Sequence, residues 1–410
     1  MNIYFQTNEL KTLLTAQYFK LNQHNIIIEN RRKRFSFDDS FLVDGQSFDC
    51  GYHSIDIGRN EIFSNILDSL EISWVTTPGS RMMLFNNQSL RRGYSLQELA
   101  GIFSLDNQSL YRDAFLNRLE EYYGSDFIRF VLDEIVPTYT QNSYWKELGL
   151  PYEEVLKNIY PWFFPSIDND DYRMIPEHYH NASVNNSSVR YPSSGGFIKI
   201  TQNLREILAP YMEEPKNDNQ YRFTEFDEHG KLLTKREGQI VVGPINHKEI
   251  ADRYSLPYPV SKKANFYLVN IIFKNQIEID VNEYLVGDKK YFFDRVSSPD
   301  LLEGERFGSR LQFECENFSA ISDEALVSNI KEFTKKYFDE DDFHKIDIKK
   351  VVIDRYDTTN IEGITNNILE FIEHNNKDFI VSNRSFSYEN LAGGVPDLIH
   401  KIQECASEKT

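Results

Sequence analysis

The first 29 residues constrain the fold most, because they read as a strand, a helix and a second strand. Residues 2–5 form a short apolar run, and residues 25–29 form another that ends in the carboxylate of Glu29. Residues 9–21 carry apolar side chains at helical spacing, and those expected on one face are Leu10, Leu13, Leu14 and Tyr18. Because neighbouring parallel strands need a crossover helix, this pattern predicts a βαβ unit that opens a parallel sheet.

This βαβ unit lacks the glycines by which dinucleotide-binding domains are recognised. A G-x-G-x-x-G turn between strand and helix lets the backbone approach a pyrophosphate and lets the helix pack closely on the strand. In this chain no glycine precedes Gly45. Two registers of the pattern place its glycines on Thr7, Glu9 and Thr12, or on Asn8, Leu10 and Leu13. The sequence therefore predicts the skeleton of a cofactor domain without its phosphate-binding turn.

Length, charge and cysteine content exclude several classes of protein. A chain of 410 residues can bury a large core and is expected to divide into two or three subdomains. The net charge of -18 argues against nucleic acid or an anionic membrane as the general partner. The 3 cysteines are too few for a disulfide framework, and no apolar run approaches the roughly 20 residues of a membrane span. Because the chain starts directly in a strand without a signal peptide, we expect a cytoplasmic protein.

The rest of the chain alternates between helical and extended patterns. Asp44–Gly45 suits the tight turn of a hairpin predicted over residues 41–49. The apolar stretch 266–273 is long enough for a central strand of a sheet. The other predicted elements are helices over 60–70, within 95–160, and over 200–208, 361–374 and 395–405, and strands within 219–316 and at 347–353 and 378–382.

Five segments occur in the order in which one known family has them. They are F-D-x-G-x-H at 48–53, Y-P-x-x-G-G-F at 191–197, F-D-R-V at 293–296, L-Q-F-E-x-E at 311–316 and N-R-S-x-S-Y-x-N at 383–390. This succession resembles UDP-galactopyranose mutase and its relatives among the amine-oxidase-like flavoproteins, which include protoporphyrinogen-oxidase-like proteins. The resemblance covers nearly the whole chain.

The resemblance implies an α/β fold with three parts. Residues 1–94 and 320–410 would form a discontinuous Rossmann-like domain of the type that binds FAD. Residues 95–165 would form a helical insertion. Residues 166–319 would form a mainly antiparallel β-sheet domain that contributes the substrate side of the cleft.

The resemblance also implies candidate substrate-binding residues, which are His53, Tyr191, Arg295 and Tyr388. His53 would lie beside the flavin ring, and Arg295 would reach the substrate diphosphate or the flavin. Arginine suits such a position because its planar guanidinium can pair with two phosphate oxygens at once. The alternative for Arg295 is a structural ion pair with Glu314 or Glu316.

Two further residues would bind the cofactor only if FAD is present. Glu29 would accept hydrogen bonds from ribose hydroxyls, and Arg384 would lie near the pyrophosphate. The alternative for Glu29 is an ordinary solvent-facing side chain at a strand end. Asn383 replaces the glycine that precedes this arginine in the family, and it adds a side chain where backbone should approach phosphate. We therefore expect no cofactor, and FAD only if a remodelled loop holds it.

Three other clusters have both a functional and a structural interpretation. Arg31–Arg34 is either a solvated basic loop or an anion clamp. Glu177–His180 contains two histidines that could be metal ligands, but a polar loop explains them better, so we predict no metal site. Gly393–Asp397 is either an anion-binding nest at a helix start or a turn that precedes Pro396.

These observations lead to three functional hypotheses and leave open whether the protein is an enzyme. In the flavoprotein family the flavin performs the chemistry and the protein positions it. The first hypothesis is a mutase-like protein that handles a nucleotide sugar or glycan in cell-surface polysaccharide biosynthesis, as a pseudoenzyme or subunit. The second is an active FAD-dependent mutase or oxidoreductase with a remodelled cofactor loop. The third is a non-catalytic interaction scaffold.

The first hypothesis implies particular partners. A nucleotide sugar or another anionic small molecule would be the ligand, and a protein partner or a homo-oligomer is compatible with the chain. Nucleic acid is not expected, because the charge of the chain opposes it.

Overall fold

The computed structural model describes residues 1–30, 40–51, 55–56, 61–78, 81–85, 88–91, 188–214, 223–233, 238–259, 261–279, 281–286, 290–317, 319–356, 361–383 and 391–408. Its strands are β1 (Asn2–Phe5), β2 (Asn25–Glu29), β3 (Ser40–Val43), β4 (Gln46–Asp49), β5 (Ile55–Asp56), β6 (Trp74–Pro78), β7 (Arg81–Phe85), β8 (Gln88–Arg91), β9 (Ser188–Pro192), β10 (Met212–Glu213), β11 (Ile240–Gly243), β12 (Ser261–Glu278), β13 (Glu283–Val286), β14 (Arg295–Ser297), β15 (Phe307–Asn317), β16 (Phe343–Tyr356) and β17 (Phe379–Val381). Its helices are α1 (Leu10–Leu21), α2 (Glu61–Asp68), α3 (Ile198–Leu208), α4 (His247–Tyr254), α5 (Pro299–Leu302), α6 (Asp323–Phe338), α7 (Ile361–Asn375) and α8 (Leu391–Ser407). None of the helices in these ranges is long and apolar enough to cross a membrane.

A five-stranded parallel sheet has the strand order β10-β2-β1-β11-β17. Its strands are apolar on both faces: Ile3 and Phe5 of β1 pack in one core cluster, and Tyr4 packs in another. Such strands are typical of a parallel sheet that is covered on both sides. The βαβ unit predicted for the first 29 residues is therefore confirmed.

Helix α1 packs on one face of this sheet together with α8 and α3. Its apolar residues Leu10, Leu13 and Leu14 are at most 1% exposed, and burying each one contributes roughly 1.5–3 kcal/mol.

The closing helix α8 begins earlier than the sequence predicts. It starts at Leu391, so that Gly393 and Gly394 lie within the helix, as does Pro396. Neither the anion nest nor the turn proposed for 393–397 is present, and both predictions were wrong. The buried side chains among the described residues of α8 are Leu391, Val395, Leu398, Ile399 and Ile402. We infer that packing of this apolar face outweighs the poor helix propensity of glycine and proline.

A seven-stranded sheet has the order β16-β12-β15-β14-β13-β7-β8, and its strands are antiparallel except for the pair β13 and β7. The stretch 266–273 lies in β12, between β15 and β16, so its predicted central position is confirmed. Five strands fall on the other side of the predicted domain boundaries. Three of them, β7, β8 and β16, belong to this sheet although we assigned 1–94 and 320–410 to the nucleotide-binding part. The other two, β10 and β11, belong to the parallel sheet although we assigned 166–319 to the substrate part. The division into domains itself stays a prediction.

The two faces of the large sheet differ in character. One face packs on α6 in an apolar cluster that includes Val269, Phe313 and Phe333. The other face meets the hairpin β3–β4, and a small apolar cluster that includes Phe48 and Ile272 lies between them. Asp44 and Gly45 have φ values of 49° and 79° at the turn of this hairpin, as the sequence predicts.

Arg310 connects the large sheet to the hairpin through a buried ion cluster. Its guanidinium Nε lies 2.5 Å from Asp300 Oδ1, and Nη2 pairs with Glu303. Its Nη1 donates to the backbone oxygen of Ser47 at 2.8 Å. The Arg310 side chain is only 8% exposed, so these partners compensate for the loss of water around it.

We expect Arg310→Met to lower the free energy of unfolding by about 3–5 kcal/mol, because it leaves two carboxylates without their buried cation. The matched control is Arg306→Met, since Arg306 pairs with Glu278 at side-chain exposures of 70% and 50%. That exposed pair should contribute no more than about 1 kcal/mol. Urea unfolding of both variants measures the difference, and equal losses would contradict the assignment.

Candidate functional site

Asp49, at the end of β4, lies in the F-D-x-G-x-H segment. It connects this segment to the start of the β3–β4 hairpin and to the Y-P-x-x-G-G-F segment. Its carboxylate accepts hydrogen bonds from Ser40 Oγ at 2.5 Å, from the Tyr191 hydroxyl at 2.5 Å and from the Phe197 backbone N–H at 2.8 Å. Burial and the Asp49 charge raise the pKa of Tyr191 well above its usual value, so the phenol remains a donor. Tyr191 thus holds the β9–α3 connection in place. Its contact with a substrate stays a prediction.

The two glycines of this connection are required by geometry. Gly195 and Gly196 have φ values of 82° and 77°, in the left-handed region. A Cβ on Gly196 would lie 2.6 Å from Ser40 Oγ and 2.9 Å from an Asp49 carboxylate oxygen. The Y-P-x-x-G-G-F segment can therefore close over Asp49 only with glycine at position 196.

Buried polar side chains of β15 line the face of the large sheet that meets this junction, opposite the apolar residues Phe266, Leu268 and Ile272 of β12. On β15 they alternate with the apolar residues of the α6 side, and they are Arg310, Gln312, Glu314 and Glu316, each at most 7% exposed. Together with Asn270 of β12, Glu283 of β13 and Arg295 of β14, these four residues form what we call the polar face. Gln312 connects this face to the junction, because its Nε2 donates to the Asp49 backbone oxygen at 2.6 Å and to Asn270 Oδ1 at 2.8 Å.

Gly51 brings the loop after β4 onto the polar face. Its φ is 113°, and a Cβ there would lie 3.5 Å from Glu314 Oε1. The loop backbone therefore runs directly beside the Glu314 carboxylate. The same loop continues toward His53, which lies outside the described residues.

Arg295 forms ion pairs within the polar face. Its Nε lies 2.7 Å from Glu283 Oε1, and its Nη1 lies 3.2 Å from Glu314 Oε2. The Arg295 side chain is 38% exposed, whereas the two carboxylates are 0% and 9% exposed. The structural ion pair with Glu314, which the sequence leaves as an alternative, is thus present, and Glu283 is an additional partner. A role for Arg295 in binding a diphosphate stays a prediction.

Glu29 lies at the carboxyl end of β2, where the family places its ribose-binding carboxylate. It is 6% exposed and accepts a hydrogen bond from the hydroxyl of Tyr4 on the neighbouring strand. The alternative of an ordinary solvent-facing side chain was therefore wrong. Contact between Glu29 and a ribose stays a prediction.

Side chains occupy the space outside the carboxyl ends of β1 and β11, which we call the β1–β11 crevice. Gln6 follows β1, is 2% exposed and accepts a hydrogen bond from Thr224 Oγ1 at 2.7 Å. On the other side of β1, beside the end of β2, Asn8 is 3% exposed and donates to Asn30 Oδ1 at 3.0 Å. Because these positions follow the strand where the family has glycines and open backbone, the described residues do not fit the pyrophosphate of FAD in the family's manner.

Asn383 takes part in the same region through two hydrogen bonds to one backbone unit, and its effect on the path of a phosphate stays a prediction. Its Oδ1 accepts from the backbone N–H of Ile245 at 2.7 Å, and its Nδ2 donates to the Ile245 backbone oxygen at 2.8 Å. The side chain therefore extends the pairing between the ends of β11 and β17. Arg384, which follows it, lies outside the described residues, as does Tyr388.

Several other predictions also fall outside the described ranges. They concern Arg31–Arg34, the helical insertion at 95–165 and the histidines at 178 and 180. Within the described ranges, no group of three or more His, Cys, Asp or Glu side chains could hold a metal ion.

Sequence reasoning missed most of the polar face. Asn270, Glu283, Arg310 and Gln312 are buried and meet through strand pairing, which the sequence does not reveal. One signal was available: polar residues at 310, 312, 314 and 316 alternate with apolar ones, which indicates a strand with one polar and one apolar face.

We expect Gly196→Ala to destabilise the protein by several kcal/mol, because its methyl group would overlap atoms of Ser40 and Asp49 as well as adopt a left-handed conformation. Gly45→Ala is the matched control: it has a similar φ of 79°, but nothing lies within 4 Å of its Cβ. The control should cost only about 1–2 kcal/mol. Chemical denaturation of both variants provides the comparison, and similar losses would show that packing on Asp49 is unimportant.

His247, the first residue of α4, should make stability depend on pH. It is 8% exposed, and burial lowers its pKa from the usual 6.5 to about 4. Between these values the unfolded chain binds a proton that the native protein does not, so native stability falls as the pH falls through this window. We expect His247→Gln to remove up to about 3 kcal/mol of this dependence, as the shift in pKa implies.

The matched control for this prediction is His229→Gln, because the His229 side chain is 74% exposed. The unfolding free energy is measured at pH 4 and at pH 7. The difference between these two values should match that of the natural protein within about 0.5 kcal/mol in the control, and should be smaller in the His247 variant. An unchanged slope in the His247 variant would contradict the assignment.

Sequence similarity to known proteins is weak and covers only part of the chain. No protein-family model matches the chain. A glycogen synthase from Finegoldia magna is 23% identical over an alignment of 183 residues, and the match covers 40% of this chain and 38% of that protein. The match thus spans less than two fifths of that protein's length, and the activity of the whole enzyme does not transfer to this chain.

Solved structures match over almost the entire length. A protein from Exiguobacterium sp. 255-15 described as a protoporphyrinogen oxidase has a TM-score of 0.62 and 12% identity, with 99% of both chains covered. A reduced UDP-galactopyranose mutase has a TM-score of 0.62 and 11% identity, with 99% of this chain and 96% of that chain covered. A fatty acid isomerase from P. acnes has a TM-score of 0.57 and 11% identity, with 98% of both chains covered. At these identities the likeness concerns the fold, and the chain has the Rossmann-like fold of the amine-oxidase-like flavoproteins that the sequence predicts.

Proposed function

We propose that this protein binds the sugar part of a glycan or nucleotide sugar on the polar face, as a mutase-like protein of polysaccharide biosynthesis. The observation that carries the proposal is the row of buried polar side chains along β15, opposite Gly51, in a fold that UDP-galactopyranose mutase shares. The α6 side of this same sheet is an apolar cluster, so the two faces differ in character. Polar groups buried in a row favour a ligand with many hydroxyl groups.

The chemistry of the polar face suits a carbohydrate. The carboxylate of Glu314 can accept hydrogen bonds from sugar hydroxyls, and the half-exposed guanidinium of Arg295 can donate to sugar oxygens. Gln312 is held by Asp49 and Asn270, so it supports the strand that positions Glu314 and does not itself contact the ligand. In this proposal the protein supplies binding and orientation, and Glu314 and Arg295 are the contact residues.

The ion pairs of Arg295 favour recognition of the sugar over recognition of a diphosphate. Glu283 and Glu314 already balance the charge of the guanidinium at 2.7 and 3.2 Å. A phosphate group that approached Arg295 would also approach these two carboxylates, and like charges at such distances repel. A nucleotide sugar would therefore be bound mainly through its sugar end.

Calorimetric titration tests this proposal. UDP-galactose and a galactose oligosaccharide should both bind, whereas UDP alone should not. Glu314→Gln should weaken the binding at least about tenfold, because it removes charge-assisted hydrogen bonds. Glu278→Gln, a change of the same kind in an exposed pair, should leave the affinity unchanged.

Two results would contradict the proposal. UDP alone could bind as tightly as UDP-galactose, which would assign recognition to the nucleotide. Alternatively, no sugar ligand could bind or raise the melting temperature, and an interaction scaffold would then be the better account.

The second candidate function is an FAD-dependent mutase or oxidoreductase with a remodelled cofactor loop. The shared fold and the position of Glu29 at the end of β2 favour it. The visible absorption spectrum of the purified protein distinguishes the candidates. We expect no flavin band, because side chains occupy the β1–β11 crevice, and a stoichiometric flavin band would favour the second candidate.

A further inference from the structure

The topology of the parallel sheet defines where a dinucleotide would enter. Helix α1, which follows β1, packs on one face of the sheet, whereas α4, which follows β11, packs on the other. β1 and β11 are neighbours, so the direction of the connections changes between them. Ligands of open α/β sheets bind at the carboxyl ends of the strands at such a change of direction. The β1–β11 crevice is therefore the place where the fold would hold a dinucleotide.

The side chains of Gln6 and Thr224 fill this crevice above the backbone of Gly243. The Gln6 side chain reaches from β1 and accepts the Thr224 hydroxyl at 2.7 Å, while the Thr224 backbone N–H donates to the Pro244 oxygen at 2.8 Å. Beneath this pair lies Gly243, at the end of β11. A Cβ on Gly243 would lie 2.5 Å from both Gln6 Oε1 and Thr224 Oγ1. The polar pair is packed directly on the backbone of β11, without room for a methyl group.

Backbone hydrogen bonds continue across the same site. The Gln6 backbone N–H donates to the Val242 oxygen at 2.8 Å, and the Ser382 backbone N–H donates to the Gly243 oxygen at 2.9 Å. The Asn383 side chain bonds both backbone groups of Ile245. The two backbone bonds continue the pairing of the parallel sheet past the ends of β1, β11 and β17, and the Asn383 side chain adds to it.

We propose that Gln6, Thr224 and Gly243 form an internal lock that fills the place of a dinucleotide at the carboxyl ends of β1 and β11. In an open α/β sheet a dinucleotide would bind at this position. Here the lock makes the Rossmann-like half a scaffold whose stability does not depend on a dinucleotide. The lock lies in the parallel sheet, whereas the proposed sugar site lies on the large sheet, so each can fail without the other.

A cycle of variants tests the packing of the lock. Gly243→Ala should lower the melting temperature of the natural protein by about 3–5 °C, because its methyl group overlaps the Gln6–Thr224 pair. In a Gln6→Ala, Thr224→Ala background the same change should cost less than about 1 °C, since the overlapping atoms are gone. Gly393→Ala, in α8 with nothing within 4 Å of its Cβ, is the control and should not lower the melting temperature. An equal loss from Gly243→Ala in both backgrounds would overturn the proposal.

A second measurement uses the unaltered protein and does not depend on whether the variants fold. A ligand that binds only the native state raises the melting temperature by an amount that grows with the logarithm of its concentration above Kd. We expect FAD and NAD, each added at millimolar concentration, to leave the melting temperature unchanged. An increase of several degrees with either dinucleotide would show that the crevice opens, and would overturn the lock. Binding of a sugar on the polar face affects neither measurement.

Discussion

The arrangement of the two sheets depends on the carboxylate of Asp49. This carboxylate accepts hydrogen bonds from the hairpin, from β9 and from the start of α3. The backbone oxygen of Asp49 accepts a further hydrogen bond from Gln312 of the large sheet. A carboxylate can accept several donors at once, which lets one residue fix segments that are far apart in sequence. Such a buried charge would be costly without these donors, so the segments are held together as a set. The polar face keeps its position opposite the β4 loop because of this junction.

The sequence predicts the parts of the structure that local patterns determine. The apolar spacing of residues 10–14 and the apolar runs on either side specify the βαβ opening, and the Asp44–Gly45 dipeptide specifies the hairpin. Where local propensity and tertiary packing disagree, packing decides. Helix α8 contains two glycines and a proline because its apolar face fits against α1 and the parallel sheet.

Long-range pairing explains what the sequence could not predict. The sequence predicts a strand at 347–353, within β16, but nothing local indicates that this strand pairs with β12, which lies more than 60 residues earlier. The same is true of Arg310, whose partners are Asp300, Glu303 and the backbone of Ser47. Among the predicted site residues, Arg295 was correctly given the alternative of an ion pair with Glu314, since neighbouring antiparallel strands bring such residues opposite each other. Glu283 was missed because it reaches Arg295 from a third strand.

The crevice illustrates a general constraint on a dinucleotide fold that lacks its glycines. A glycine-rich turn presents backbone N–H groups to a pyrophosphate, and without that ligand such groups must find other acceptors or remain in contact with water. In this protein the Glu9 backbone N–H donates to Thr7 Oγ1 at 3.3 Å. Thr7, which stands where one register of the pattern places a glycine, therefore supplies an acceptor for a backbone N–H at the start of the helix. Since Thr12 and Leu13 are at most 1% exposed, the helix that follows is packed by side chains as well, and restoring single glycines would remove contacts without creating a phosphate site.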